Sequence, residues 1–268
     1  MATAGTGVDG LAFDVLGDDG PAVVALHGLT SSRARESRLG LDVTGALDGC
    51  RVLRYDARGH GRSAGRPSPD DYTWPRLADD LLRLVEHVFD GEAVHGIGGS
   101  MGAATLLHAA AAAPARFSSL TLVVPPTAWA TRAARAADYE AAARLVETDG
   151  VDAWVAAGAA VEPPPATVGR PETPPDVVAS LLPSVLRGAA RSDLPALDVL
   201  ETLDVPTSVL AWTDDPAHPL ATVDQLVATL PRCAVLDVAS HPEHVAHWPD
   251  LVAGRLGLST TSTAAPPH

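Results

Sequence analysis

The sequence predicts an α/β fold with a mostly parallel central sheet, helices on both faces and an inserted helical lid. Short apolar runs alternate with segments of helical spacing, which is the pattern of parallel strands joined by helices. The run at residues 21–26 is continuously apolar, as expected of a strand that is buried on both faces of a sheet. Residues 127–195 break this alternation, because they contain Ala-rich and Pro-rich stretches and no convincing strand.

The predicted elements outside the insertion follow one another in a regular order. Strands are predicted at residues 11–16, 21–26, 51–55, 93–97, 120–124, 207–212 and 234–238. Helices are predicted at residues 72–89, 101–113, 220–230 and 249–256. The first of these helices has the spacing of an amphipathic helix. The apolar face is formed by Leu77, Leu81, Leu84, Val85 and Val88.

Three parts of the chain differ in composition and in the pattern of apolar residues. We assign residues 1–126 and 196–258 to the α/β core and residues 127–195 to the helical lid. Residues 259–268 are small and polar, and we expect them to form a disordered tail.

Charge and composition exclude several classes of function. The 268 residues include 19 basic and 33 acidic side chains, for a net charge of −14. This charge repels phosphate backbones and anionic lipid surfaces. All of the basic residues are Arg, and the absence of Lys excludes a pyridoxal-phosphate Schiff base and a phosphate-loop lysine. We therefore expect a small-molecule substrate, no cofactor, no nucleic-acid or membrane partner, and a monomer or homodimer.

We expect a cytoplasmic, bacterial protein. Residues 1–9 lack a basic residue and a long apolar run, so they do not resemble a secretory signal. No stretch of 18 apolar residues occurs that would span a membrane. Cys50 and Cys233 are interpreted as small buried hydrophobes in a reducing compartment rather than as a disulfide. The Ala-rich, Lys-free composition is typical of a GC-rich bacterial genome.

The segment Gly98-Gly99-Ser100-Met101-Gly102 follows a predicted strand and opens a predicted helix. This is the G-x-S-x-G pattern in its strand–turn–helix context, where a sharp turn presents the Ser100 hydroxyl clear of the sheet. The residues two before and two after the serine approach neighbouring backbone, so both must be small. The helix start also directs free N–H groups at the place where an oxyanion would form. We predict Ser100 to be a nucleophile.

A second turn, His27-Gly28-Leu29-Thr30, ends the buried strand at 21–26. We predict that the Leu29 N–H is one oxyanion donor and the Met101 N–H the other, with Thr30 as the alternative to Leu29. His27 is interpreted as a structural histidine that holds this loop, not as the catalytic base.

A third turn follows the next strand and reads Asp56-x-Arg58-Gly59-x-Gly61-x-Ser63. Its glycines allow a tight turn that an Asp56–Arg58 pair could fix, so we interpret it as scaffold. With this motif the sequence resembles the α/β-hydrolase-fold superfamily, in particular lidded serine esterases and lactonases such as 3-oxoadipate enol-lactonases. The resemblance extends from about Leu11 to Leu256 and is weakest in the lid.

The resemblance implies a nucleophile–acid–histidine order, with the acid after a late strand and the histidine after the last strand. Asp215 and Asp214 follow the strand at 207–212; we prefer Asp215 because Pro219 lies four residues later, although Trp212 stands where the family pattern has Gly. His241 follows the last strand and is the predicted base, with His244 as the fallback. Residues 241, 244 and 247 also permit a metal interpretation, but three-residue steps would not place three rings on one helix face, so we predict no metal site.

The lid is expected to cover the serine and shape an apolar pocket. Candidate substrate-binding residues are Trp74, Trp129, Trp154 and Leu186, each of which could instead pack the lid on the core. Arg33, Arg35 and Arg38 could bind a substrate carboxylate or lie solvated on the surface.

The sequence therefore favours a serine hydrolase that cleaves a small or medium hydrophobic carboxylic ester or lactone through an acyl-enzyme. Two alternatives stay open. The same triad could act on a thioester or a C–C bond, or as a perhydrolase. The chain could also be a hydrolase-like binding protein without chemistry.

Overall fold

The computed structural model describes residues 3–171 and 173–258, so the predicted tail at 259–268 lies outside the described residues. Within them an eight-stranded sheet has the order β1-β2-β4-β3-β5-β6-β7-β8. The strands are β1 (Thr3–Val8), β2 (Leu11–Leu16), β3 (Ala22–Leu26), β4 (Arg51–Tyr55), β5 (Val94–Gly99), β6 (Phe117–Val123), β7 (Thr207–Trp212) and β8 (Cys233–Ala239). β2 pairs antiparallel with β1 and β4, and every other pair is parallel. The predicted mostly parallel sheet is confirmed.

Helices connect the strands. They are α1 (Arg33–Leu39), α2 (Trp74–Phe89), α3 (Met101–Ala112), α4 (Arg132–Ala159), α5 (Leu182–Ala190), α6 (Leu197–Leu200), α7 (Leu220–Thr229), α8 (Pro242–Ala246) and α9 (Trp248–Arg255). The predicted strands and helices are present, with ends shifted by a few residues. None of the helices in the described ranges is long and apolar enough to span a membrane.

The sheet has a hydrophobic core on each face. Consecutive residues of β3 enter different cores: Val24 packs with α2 and α3, whereas Val23 packs with Trp248 of α9. Successive strand side chains point to opposite faces, so a strand covered on both faces must be apolar at every position. This explains the uninterrupted apolar run in the sequence, and it confirms the predicted helices on both faces.

The segment between β6 and β7 is helical and packs over one end of the sheet. α4 changes direction at Gly150, whose φ of 88° is left-handed and easily adopted by glycine. Ala143 and Val146 of α4 pack with Leu182 and Leu186 of α5 in a small core, and Leu29 of the β3–α1 loop packs against it. The inserted helices therefore lie directly above the carboxyl end of β3.

The turn after β4 is held by a different ion pair from the predicted one. Asp56 pairs with Arg33, whose Nε lies 3.0 Å from the carboxylate, and it accepts from the Arg62 backbone N–H at 3.0 Å. Arg58 pairs instead with the buried Asp80 at 2.6 Å. The predicted Asp56–Arg58 pair is therefore wrong, because each side chain has a better-placed partner on another element.

Candidate active site

Ser100 occupies a strained turn between β5 and α3. Its φ of 50° and ψ of −107° are unusual for a residue with a side chain, and its N–H donates to the Val123 carbonyl at 2.9 Å. A Cβ on Gly98 would lie 2.5 Å from the Gly102 carbonyl carbon, and a Cβ on Gly102 would lie 2.7 Å from the Leu26 carbonyl oxygen. Both positions therefore require glycine, as the sequence predicts.

The Ser100 hydroxyl is hydrogen-bonded to His218, and His218 in turn to Asp215. Ser100 Oγ lies 2.8 Å from His218 Nε2, and His218 Nδ1 lies 2.7 Å from Asp215 Oδ2. An ionised carboxylate can only accept, so Nδ1 carries the proton and Nε2 is free to accept from the hydroxyl. This is the geometry by which an imidazole can remove a serine proton.

Asp215 is held as a carboxylate by three donors. Oδ2 accepts from the Trp212 indole Nε1 at 2.8 Å as well as from His218, and Oδ1 accepts from the Ala217 backbone N–H at 2.8 Å. Burial alone would raise the pKa of Asp215, but these hydrogen bonds and the His218 ring outweigh burial and lower it to about 2. Asp214 is exposed and does not contact the ring. Trp212, which departs from the family pattern, thus supplies a donor to this carboxylate.

The predicted pairing of Ser100 with His241 is wrong. His241 is exposed at the start of α8, where its ring lies edge-on to that of His244 with centroids 5.7 Å apart. The fold of the β7–α7 loop explains the difference. The His218 backbone N–H donates to the Asp215 carbonyl at 3.1 Å, which closes a tight turn. This turn places the His218 imidazole beside the Asp215 carboxylate. His218 was visible in the sequence three residues after Asp215, but its spacing alone did not mark it as the partner of Ser100.

The structure also places the three histidines that follow β8. No group of three or more metal-ligating side chains is assembled anywhere in the ranges that the structure describes. His241, His244 and His247 are all exposed, and the His247 Nδ1 donates to the Glu243 carbonyl at 2.6 Å.

The oxyanion side of the site is set by two buried histidines. The Thr30 N–H donates to His60 Nε2 at 3.2 Å, so it is already used. His27 Nε2 accepts from the Ala57 N–H at 2.9 Å while Nδ1 donates to the Gly28 carbonyl at 2.8 Å, which holds the loop. Among the described residues neither the Leu29 nor the Met101 N–H has a protein acceptor, so both are available to an oxyanion.

A cavity of about 440 Å³ opens over Ser100 and His218. Of the four candidate substrate-binding residues, Trp154 and Leu186 line it. Trp74 and Trp129 do not. Trp74 is buried under the Arg132 guanidinium, 4.3 Å from its ring centroid, and the Trp129 indole donates to the Pro195 carbonyl at 3.1 Å. These two indoles pack the inserted segment on the core, which was the alternative interpretation.

The chain belongs to the alpha/beta hydrolase fold family. The family model matches residues 21–157, which is just over half of the 268 residues. The match includes β3, the Ser100 turn and the first part of the inserted segment.

Known proteins agree with this assignment. A hydrolase from Pseudomonas aeruginosa PA01 has a TM-score of 0.73 at 24% identity, covering 96% of this chain and 98% of its own. The enol-lactonase from Burkholderia xenovorans LB400 has a TM-score of 0.71 at 22% identity, covering 95% and 100%. A thermophilic esterase from Thermogutta terrifontis has a TM-score of 0.69 at 21% identity, covering 91% of each chain. These likenesses show the shared fold.

A curated relative matches only in part. The probable oxidoreductase EphD of Mycobacterium tuberculosis is 33% identical over 112 residues, which are 41% of this chain. The matching region spans 18% of the length of that relative.

Proposed function

We propose that this protein is a serine hydrolase that cleaves a small or medium carboxylic ester or lactone, with Ser100 as nucleophile, His218 as general base and Asp215 as the supporting acid. The observation that carries the proposal is the hydrogen-bonded series Ser100–His218–Asp215, at 2.8 Å and 2.7 Å, on a turn that presents the hydroxyl to a cavity. The proposal takes His218 instead of the predicted His241 as the base, keeps Ser100, Asp215 and the Leu29 and Met101 N–H donors, and leaves Trp74 and Trp129 out of the site.

The reaction proceeds in two halves. In the first, His218 takes the Ser100 proton as Oγ attacks the carbonyl carbon, and the Leu29 and Met101 N–H groups stabilise the oxyanion. Collapse of the tetrahedral intermediate breaks the C–O bond, and His218 gives its proton to the leaving alkoxide. In the second half, His218 takes a proton from water, whose oxygen attacks the acyl-enzyme; return of that proton to Ser100 releases the carboxylic acid.

The form of the cavity supports the substrate class. A volume of about 440 Å³ accommodates a compact substrate, and apolar side chains such as Leu29, Val124 and Leu186 form much of the wall. Two of the proteins with the same fold are described as an enol-lactonase and an esterase. These features favour an oxygen ester, either open-chain or cyclic, as the bond that is cleaved.

Active-site labelling tests the nucleophile. A fluorophosphonate probe is expected to label the wild-type protein and Ser37→Ala, whose serine is exposed on α1, but not Ser100→Ala. Initial rates on p-nitrophenyl esters, lactones and thioesters, compared as kcat/KM, then identify the bond. Folded wild-type protein that is neither labelled nor active on any member of the panel would contradict the proposal and favour a binding protein.

A further inference from the structure

Two arginines of the cavity wall, Arg33 and Arg54, form ion pairs with carboxylates of the protein. Arg33 is bound by two carboxylates, at 2.7 Å from Asp14 and 3.0 Å from Asp56. Arg54 pairs with the same Asp14 at 2.9 Å, as well as with Asp42 at 3.1 Å. The guanidinium groups of these two residues are therefore neutralised within the protein.

Arg35 of the cavity wall is also used by the protein. Its guanidinium donates to the backbone carbonyls of Thr173 and Pro174, both at 3.0 Å. It therefore serves to tie α1 to the inserted segment. Arg38, the remaining candidate from the sequence, is exposed and does not line the cavity.

Arg135 of α4 lines the same cavity, and its guanidinium has fewer protein partners than those of Arg33, Arg35 and Arg54. Its Nε is buried and has no hydrogen-bond partner among the residues that the structure describes. Its Nη1 lies 3.6 Å from Asp138 Oδ2, which is longer than a hydrogen bond, and the Asp138 side chain is 67% exposed. The guanidinium lies over the Tyr139 ring at 5.0 Å from the centroid, which keeps it at the cavity wall.

A second, buried cation adds to the positive charge behind Arg135. Arg132 is 4% exposed, lies 5.5 Å from the centroid of the same Tyr139 ring, and donates to the carbonyl oxygens of Ser192, Thr127 and Ala189. It forms no ion pair with a carboxylate within the described part of the chain. The Asp193 carboxylate offsets part of this charge without forming an ion pair, and the field of a buried charge is weakly screened away from water.

We propose that the α4 corner of the cavity is a carboxylate subsite, with Arg135 as its ligand, and that the preferred substrate is an ester or lactone carrying a free carboxylate. A guanidinium can bind a carboxylate by two parallel N–H···O bonds, which would supply the partners that Arg135 lacks. Asp138 competes for the same guanidinium. The inference rests on the proposed function in that Ser100 is taken to cleave the bound ester.

Two esters of equal acyl length test the subsite. p-Nitrophenyl butyrate and p-nitrophenyl hemisuccinate differ by a terminal carboxylate. Arg135→Gln is expected to lower kcat/KM for the hemisuccinate about tenfold or more, mainly by raising KM, because a charge-assisted hydrogen bond is lost. The kcat/KM for the butyrate should change less than about twofold, because this ester has no carboxylate for Arg135 to bind. Arg135→Lys should restore part of the difference. Asp138→Asn should lower KM for the hemisuccinate, because it removes the competing carboxylate.

Arg144→Gln is the matched control, because Arg144 lies on the same helix with its side chain 64% exposed. It should leave kcat/KM unchanged for both esters. If Arg135→Gln lowers kcat/KM equally for both esters, Arg135 positions α4 and the subsite is refuted. If kcat/KM changes for neither ester, Arg135 binds no carboxylate and the subsite is refuted as well.

A binding measurement separates this inference from the proposed function. Monomethyl succinate is titrated into Ser100→Ala and into Ser100→Ala/Arg135→Gln by calorimetry. Binding that is lost in the double variant supports the subsite even if no ester is hydrolysed, in which case only the proposed function fails. Hydrolysis of neutral esters without Arg135-dependent binding refutes the subsite and leaves the serine hydrolase intact.

Discussion

His60 links the stability of the fold to pH. Its side chain is 1% exposed, its Nδ1 donates to the Arg58 carbonyl at 2.9 Å, and its Nε2 accepts from the Thr30 N–H at 3.2 Å. Burial, together with the neighbouring His27, lowers the pKa of His60 from 6.5 to about 3. The folded protein therefore keeps this ring neutral at pH values where the unfolded chain binds a proton.

The sign and size of the effect follow from that difference. Because the folded-state pKa is depressed, the contribution of His60 to the unfolding free energy is complete above the unfolded pKa of 6.5 and is lost as the pH falls towards about 3. Well inside this window each pH unit costs about 1.4 kcal/mol, so acidification from pH 6.5 to about pH 4.5 should cost roughly 2 kcal/mol through this residue. Burial lowers the pKa of His27 as well, and its effect has the same sign.

Urea unfolding between about pH 7 and pH 4.5 measures the effect. His60→Gln retains an acceptor for the Thr30 N–H but cannot titrate, so its unfolding free energy should fall less steeply, by about 1.4 kcal/mol per pH unit, than that of the wild type. His87→Gln, at an exposed position on α2, should keep the wild-type slope. Parallel slopes for His60→Gln and the wild type would refute the reasoning.

Three further substitutions probe the site and the scaffold. Trp212→Phe removes the indole donor to the Asp215 carboxylate and should lower kcat/KM about tenfold for every ester, measured as initial rates. Gly98→Ala should lower the unfolding free energy by about 1–3 kcal/mol in urea, whereas Gly99→Ala, whose added Cβ meets nothing within 4 Å, should change it little. Asp80→Asn removes a buried carboxylate that pairs with Arg58 and Arg83 and should cost about 3 kcal/mol, whereas Asp79→Asn, with a side chain 48% exposed, should cost less than about 0.5 kcal/mol.

The sheet could be predicted from the sequence wherever local patterns determined the structure. β3 is buried on both faces and is apolar at every position, and α2 carries an apolar stripe of helical spacing. α1 was not predicted because none of its residues is buried; its start is set by the Ser32 side chain, which accepts from the Arg35 N–H at 3.0 Å. β1 was not predicted either, since it is a Gly-containing edge strand that pairs only with β2.

Part of the candidate site could also be predicted from local sequence patterns, and part could not. The place of Ser100 was predictable because the glycines on each side of it have a local steric cause. The choice of histidine was not, because it depends on how the β7–α7 loop folds back on Asp215, and spacing along the chain does not encode that turn. His241 has a suitable position after the last strand, yet the ring of His218 is the one delivered to the hydroxyl.

The role of His218 is tested most directly by kcat/KM of His218→Ala and His241→Ala on p-nitrophenyl butyrate, with fold integrity confirmed by circular dichroism. We expect His218→Ala to lower kcat/KM by about 10³-fold or more, as for loss of a triad base, and His241→Ala to remain within about twofold of the wild type. An inactive His241→Ala beside an active His218→Ala would contradict the account.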